Sequence, residues 1–117
     1  MKRKIALLLA AILLIYGWHI CVYDRVTWYG DRERGKLMAN GRPFNPDALT
    51  AASWNYPLGC KLKVVYNDRS VVVEVTDRGG ARAFMQIGKV VDLSHAAFAK
   101  LEKPAVGTIR VKITRVD

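Results

Sequence analysis

Cysteine and histidine are scarce in this chain of 117 residues, which contains two of each. Two histidines, one of which is His19 in an apolar N-terminal stretch, are too few for a dedicated zinc site. The sequence also contains no Gly-rich phosphate loop and no Ser-x-Gly nucleophile turn. These absences exclude P-loop enzymes and serine hydrolases, and we expect neither a metal nor another cofactor.

The two cysteines are Cys21, at the end of the apolar stretch, and Cys60, just before a predicted strand. In an oxidising compartment these residues can form a disulfide. A buried thiol at Cys60 explains the same sequence equally well.

Acidic residues are few, because 10 Asp and Glu face 19 Lys and Arg, which gives a formal net charge of +9. Lys2, Arg3 and Lys4 supply three of these charges, which leaves +6 for the rest of the chain. Nucleic acid, an anionic membrane face and a cell-wall polymer all fit this sign. The basic residues are dispersed among the predicted strands rather than clustered, so an ordinary solvated surface is the alternative.

Residues 1–22 have the order of a targeting segment, with three basic residues followed by an unbroken apolar run at residues 5–15. The apolar stretch 5–22 has about eighteen residues, at the short end of what spans a bilayer. A cleaved signal peptide and an uncleaved membrane anchor both fit. Lipidation of Cys21 is disfavoured, because Ile20 stands where a lipoprotein signal needs a small residue.

We therefore predict export to the cell envelope, the periplasm in particular, with the basic N-terminus left in the cytoplasm. Membrane association would run through the N-terminal segment. Export also removes nucleic acid as a partner, and the sequence indicates no protein partner. Residues 23–117 are then one small domain, since about 95 residues cannot hold a second core.

Alternating apolar residues and turn signals predict a mainly β domain. We expect strands at residues 23–30, 49–52, 61–66, 70–76, 89–93 and 108–116, and a helix of about two turns after the cap residue Ser94. In the strand at 70–76, alternation places Glu74 and Thr76 on the outward face. The segments 31–46 and 77–88 are predicted loops. Short strands with little helix favour a small barrel over a sandwich.

Two aspartates follow or end apolar strands, Asp77 in Glu74-Val75-Thr76-Asp77-Arg78-Gly79-Gly80 and Asp92 in Val91-Asp92-Leu93-Ser94. If their strands are neighbours, the two carboxyl groups converge on one cleft. A carboxyl group between apolar walls and near another negative charge has a raised pKa, as a proton donor needs. The alternatives are a turn residue for Asp77 and a helix cap for Asp92.

Several motifs occur in the order in which one known family has them, and they cover nearly all of residues 27–116. The motifs are Thr27-Trp28-Tyr29-Gly30, Met38-Ala39-Asn40-Gly41, Leu49-Thr50-Ala51-Ala52, Pro57-Leu58-Gly59, Asp77-Arg78-Gly79 and Val91-Asp92-Leu93-Ser94. Together they resemble the rare lipoprotein A family. The resemblance implies a six-stranded double-psi β-barrel with one or two short helices, related to expansins and septal ring lytic transglycosylases.

The resemblance also implies a substrate, the glycan strands of peptidoglycan. Lytic transglycosylases of this family cleave the bond between N-acetylmuramic acid and N-acetylglucosamine and leave a 1,6-anhydro sugar. On this reading Asp77 is the catalytic acid and base, and Asp92 assists it. The expected substrate-binding residues are Asn40, Arg42, Ser53, Trp54 and Arg78. Tyr29 is expected to pack the first strand.

Two positions depart from the family pattern. Arg42 stands where many members have a glutamate, and Ser53 stands where they have a histidine. Both changes remove a titratable group from the expected cleft. A non-catalytic peptidoglycan-binding or expansin-like wall-loosening module is therefore the main alternative, and a basic domain for another polyanion is a further one.

Overall fold

A computed structural model describes residues 24–88 and 90–117 of the chain. The predicted signal or anchor, the lipidation site at Cys21 and any Cys21–Cys60 disulfide lie outside these residues or depend on a residue outside them. No helix in the part that the structure describes is long and apolar enough to cross a membrane.

Six strands form the domain in the part of the chain that the structure describes, and all six begin and end within one residue of the predicted limits. They are β1 (Asp24–Tyr29), β2 (Thr50–Ala52), β3 (Lys61–Tyr66), β4 (Arg69–Asp77), β5 (Val90–Ser94) and β6 (Ile109–Arg115). Short 3-10 turns cover Asp31–Glu33 and Pro104–Val106. The first of these, together with a single bridge from Leu37 to Pro43, gives local order to the predicted loop 31–46.

The strands close into a barrel in the order β1-β5-β2-β4-β3-β6. Two pairs, β1 with β5 and β2 with β4, are parallel, and the other four are antiparallel. Closure leaves no free sheet edge, which is how a small all-β domain avoids edge-to-edge association. The prediction of a mainly β, six-stranded double-psi barrel is confirmed.

The barrel interior is filled by the alternate apolar residues of the strands. The fully or almost fully buried strand residues are Val26, Ala51, Leu62, Val64, Val71, Val73, Val75, Val91, Leu93, Ile109 and Val111. Burying a Val or Leu side chain contributes about 1.5–3 kcal/mol. Cys60 belongs to the same core, so the expected burial of its side chain is confirmed.

Helix α2 (His95–Ala99) closes one side of the core with Phe98, which is fully buried. The predicted cap is present, because the Ser94 hydroxyl accepts a hydrogen bond from the Ala97 amide at 3.3 Å. The same hydroxyl donates to the Ala48 carbonyl at 2.5 Å. The helix is shorter than the predicted two turns.

Helix α1 (Arg82–Ile87) lies inside the segment 77–88, for which the prediction of a loop was wrong. The sequence gives little signal here, because Ala81 makes no side-chain cap and Phe84 and Ile87 are 73% and 86% exposed. Met85 alone is buried. Its side chain packs so closely on Gly79, whose φ is +76°, that a Cβ atom there would lie 2.8 Å from the Met85 methyl carbon.

Candidate functional site

The two aspartates lie on strands that are not adjacent. Strand β2 runs between β4 and β5, and its residue Ala52 is in register with Asp77 on one side and with Asp92 on the other. The condition stated for a common cleft, that the two strands are neighbours, is therefore not met. The short strand β2 brings the residues together instead.

A β-bulge in β4 sets the direction of Asp77. Ala51 pairs with Val75, but the next residue, Ala52, pairs with Asp77, so Thr76 is the extra residue. Without the bulge Asp77 would follow Val75 towards the core, since side chains alternate along a strand. Thr76 itself is only 3% exposed, although alternation along the strand placed it on the outward face.

Both carboxyl groups open into one cavity of about 370 Å³. Asp77 and Asp92 are each partly buried. The other lining residues are Tyr29, Glu33, Lys36, Leu37, Phe44, Gly79 and Gly80. The predicted convergence of the two aspartates on one cleft is thus present in the structure.

Asp92 is partly buried and is bonded to strand β1. Thr27 on the neighbouring strand β1 is in register with it and donates its hydroxyl hydrogen bond to the Asp92 carboxylate. Burial raises the pKa of Asp92, and the Thr27 hydrogen bond opposes that rise in part. The predicted alternative, a cap for the following helix, does not describe Asp92, because Ser94 makes that bond.

Asp77 is held by backbone amides. Its Oδ1 atom accepts hydrogen bonds from the Ala39 amide at 3.0 Å and from its neighbour Arg78 at 2.8 Å. The Asn40 amide donates to the Thr76 carbonyl at 3.2 Å, which ties the loop 38–41 to the end of β4. The alternative expected for Asp77, a carboxylate that binds the amides of a turn, is therefore also correct. The same residue lines the cavity.

Tyr29 is a site residue that the sequence reasoning missed, because it was expected to pack the first strand. Its ring stacks on Phe44 with centroids 4.2 Å apart and 15° between the planes. Its hydroxyl oxygen is buried and has no hydrogen-bond partner within the described residues. Burial and then the charges of Asp77, Asp92 and Glu33 raise its pKa, so the hydroxyl stays protonated and can donate.

A usable signal for Tyr29 was its spacing from Thr27. Residues two apart on a strand share a face, and Thr27 is the register partner of Asp92. Thr27 and Tyr29 therefore lie on the face that carries the carboxylate.

Arg78 braces a loop and does not pair with the carboxylate of Asp77. Its Nη1 atom donates to the carbonyls of Ser53 at 2.9 Å and Tyr56 at 2.6 Å. The guanidinium carbon also lies 6.0 Å from the centre of the Trp54 ring, and that of Arg82 lies 5.4 Å from it. Trp54 in turn donates to the Gly80 carbonyl at 3.1 Å.

The remaining predicted binding residues lie around the cavity rather than in its lining. Asn40 and Arg42 are exposed, and the Asn40 side-chain oxygen accepts a bond from the Arg42 amide at 3.0 Å. Ser53 is 0% exposed, and its hydroxyl accepts from the Asn55 amide at 3.1 Å. In this structure Ser53 therefore offers no side-chain surface to a ligand.

A second and larger cavity, of about 550 Å³, adjoins the first and shares Tyr29 and Glu33 with it. Trp28 and His95 form an edge-to-face ring pair in its wall, with centroids 5.0 Å apart. It contains neither Asp77 nor Asp92. The smaller cavity is therefore the candidate reaction site, and the larger one extends the same groove.

Comparison with known proteins places this arrangement among relatives. A family model described as lytic transglycolase matches residues 24–113. The chain is similar to a Pseudomonas aeruginosa protein named endolytic peptidoglycan transglycosylase RlpA, with 38% identity over 93 residues. That match covers 78% of this chain and 26% of the relative, so the chain spans about a quarter of the relative's length.

Two solved structures have a similar fold. One is the Streptomyces papain inhibitor, with a TM-score of 0.60 and 28% identity over 78% of this chain and 91% of that one. The other is an expansin from Clavibacter michiganensis, with a TM-score of 0.61 and 25% identity over 82% of this chain and 50% of that one. The barrel thus occurs both in a protein named as a papain inhibitor and in an expansin.

Proposed function

Because this chain belongs to the lytic transglycolase family, we propose that it cleaves peptidoglycan glycan strands and leaves 1,6-anhydro ends. The observation that carries the proposal is the meeting of Asp77 and Asp92 in one cavity, on either side of Ala52. The name of the Pseudomonas aeruginosa relative supports the substrate and the reaction type. The substrate lies outside the cytoplasmic membrane, which agrees with the export predicted from residues 1–22.

Asp92 is the better candidate for the proton donor. A general acid must hold its proton near neutral pH, and burial raises the pKa of Asp92. Asp77 is fixed in direction by two backbone amides and supplies a negative charge at the opposite side of the cavity. This division of roles is the reverse of the one expected from the family resemblance.

The reaction needs two proton transfers at Asp92, one to the substrate and one back from it. Asp92 gives its proton to the glycosidic oxygen as the bond from that oxygen to C1 of N-acetylmuramic acid breaks. The oxygen of the 6-hydroxyl group of the same sugar then bonds to C1, and its proton passes to the Asp92 carboxylate. Water takes no part in this reaction. An inverting glycosidase needs a second carboxylate to activate a water molecule, and this reaction does not.

The charge of Asp77 has a separate task. Positive charge develops at C1 while the glycosidic bond breaks, and a preorganised negative group stabilises that charge best in a site with little water. The Tyr29 hydroxyl is buried and has no partner among the described residues, so a shift of its ring has to expose it before it donates a hydrogen bond to the sugar. Asn40, Arg42, Trp54 and Arg78 remain proposed contacts at the rim.

Digestion of purified sacculi tests the proposal. Intact sacculi and sacculi stripped of stem peptides are incubated with the full chain, and the products are examined by mass spectrometry for anhydro-muramyl ends. The double variant Asp77→Asn/Asp92→Asn is the matched control, because it keeps side-chain volume and loses both carboxyl groups. Release of anhydro ends by the wild type alone supports the proposal.

A non-catalytic glycan-binding or wall-loosening module is the second candidate. Arg42 and Ser53 favour it, because they replace two titratable groups that many family members have near the cleft. The similarity to an expansin agrees with this candidate as well. If the wild-type chain sediments with sacculi and releases no anhydro ends, this second function replaces the first.

A further inference from the structure

Four basic residues lie side by side on the outer surface of three neighbouring strands. They are Arg25 on β1, Arg110 and Lys112 on β6, and Lys63 on β3, and we call this set the basic wall. All four side chains are exposed. The residues between them in sequence, such as Val26, Val64 and Val111, are buried in the core.

The strand register establishes that these charges are close together. Arg25 pairs directly with Arg110 across the antiparallel ladder of β1 and β6. Lys63 pairs with Thr114, which is two residues from Lys112 on the same face of β6. The expectation that the basic residues are dispersed is therefore wrong for this side of the barrel.

No ion pair among the residues that the structure describes involves a residue of the basic wall. The ion pairs found there involve Arg34, Lys36 and Arg115 instead. Like charges directly opposite each other on two strands repel. An anionic partner that lies across several strands at once would relieve this repulsion.

The middle strand of the basic wall lies across the barrel from the strand between the two aspartates, although β1 carries both Arg25 of the wall and Tyr29 of the site. In the closed strand order, β6 is three strands away from β2 in either direction. Ala52 on β2 lies between the two aspartates, whereas β6 is the middle strand of the basic wall. A partner centred on β6 therefore leaves the two aspartates accessible.

We propose that the basic wall binds the anionic phospholipid headgroups of a membrane. The apolar stretch 5–22 ends shortly before β1, and Arg25 is the third residue after it. The chain therefore enters the barrel at the edge of the wall, directly after the predicted signal or anchor segment. Each Lys or Arg near an anionic bilayer strengthens binding by about fivefold. This proposal does not depend on the catalytic one.

Lysine acylation in vesicles tests the proposal with the full chain. The protein is reconstituted into vesicles of phosphatidylcholine, alone or mixed with phosphatidylglycerol, and treated with a water-soluble amine-acylating reagent. Mass spectrometry then gives the acylation rate of each lysine side chain. We expect Lys63 and Lys112 to react about fivefold more slowly in the anionic vesicles, and we expect Lys36, on the groove side, to react equally in both.

Two controls give the result its meaning. Arg110→Glu should abolish the slowing at Lys63 and Lys112, while Arg82→Glu, an equal charge change outside the wall, should preserve it. High salt should also abolish it, because screening acts on exposed charges. Equal rates in the two kinds of vesicle overturn the proposal. The proposal is also overturned if acylation of Lys63 and Lys112 slows only when sacculi or DNA are added to neutral vesicles. In that case the basic wall binds the added polymer.

Discussion

Asp77 and Asp92 share one neighbour, Ala52, which lies between them on the central strand β2. Two strand spacings separate their Cα atoms, a distance of about 10 Å. That separation leaves room for a sugar ring between the two side chains. The arrangement depends on the bulge at Thr76, because without it the Asp77 side chain would turn into the core.

Replacement of either aspartate should reduce catalysis without unfolding the barrel. We expect Asp92→Asn to lower the release of anhydro ends by about 10²–10⁴-fold, the usual contribution of a general acid. Asp77→Asn should lower it as well, through loss of the negative charge beside C1. Asp68→Asn, in the exposed turn between β3 and β4, is the control and should release product at the wild-type rate. Wild-type activity in Asp92→Asn would assign the acid to another residue.

The raised pKa of Asp92 should make the free energy of unfolding depend on pH. In the unfolded chain an aspartate titrates near pH 3.9, and burial moves the folded pKa of Asp92 above its ordinary value. Between these two values the folded state binds more protons, so the contribution of Asp92 to stability falls as pH rises.

The measurement is urea unfolding of the wild type and of Asp92→Asn at several pH values. The variant should gain stability relative to the wild type as pH rises from about 3.9 through the folded pKa, and the difference should then stay constant. A difference that does not change with pH would mean that Asp92 is not destabilised in its ionised form.

Arg78 is only partly buried, yet it should contribute to stability through its guanidinium group. Arg78→Ala removes two hydrogen bonds from a charged donor to the carbonyls of Ser53 and Tyr56. We expect a loss of about 2 kcal/mol in the free energy of unfolding, measured by urea denaturation. Arg82→Ala, which removes only a contact with the Trp54 ring, should cost about 0.5 kcal/mol. Equal losses in the two variants would contradict the bracing role of Arg78.

Tyr29→Phe separates a role in binding from a role in packing. The variant keeps the ring that stacks on Phe44 and removes a buried hydroxyl that has no partner in the described residues. Its stability should equal or exceed that of the wild type, since no protein hydrogen bond is lost. If the hydroxyl donates to the sugar, activity on sacculi should fall about tenfold. A stable variant with full activity would remove Tyr29 from the proposed mechanism.

Much of the fold was predictable because the apolar pattern is strong and local. Val71, Val73 and Val75 alternate without interruption, and each is buried as the pattern predicts. Ser94 was recognisable as a cap from its position before an apolar helical segment. Helix α1 was not predictable, because its exposed Phe84 and Ile87 give it no amphipathic pattern and Ala81 gives it no cap.

The candidate site was predictable in its residues and less so in its geometry. Asp77 and Asp92 were identified from motifs, whereas Tyr29 was assigned to packing. The difference lies in what each inference needs. A motif is read along the chain, but the direction of Tyr29 follows from the pairing of β1 with β5, which joins residues 65 positions apart, Thr27 and Asp92 among them.

The sequence by itself determined the class of the domain, its strands, its core and the two acidic residues, because these follow from side-chain alternation and local motifs. Only the tertiary structure decided that Asp77 turns outward, that Ala52 lies between the aspartates, and that Arg25 and Arg110 face each other. Strand order, register and a single bulge fix these relationships. Each depends on hydrogen bonds between strands far apart in sequence, and no local pattern records such bonds.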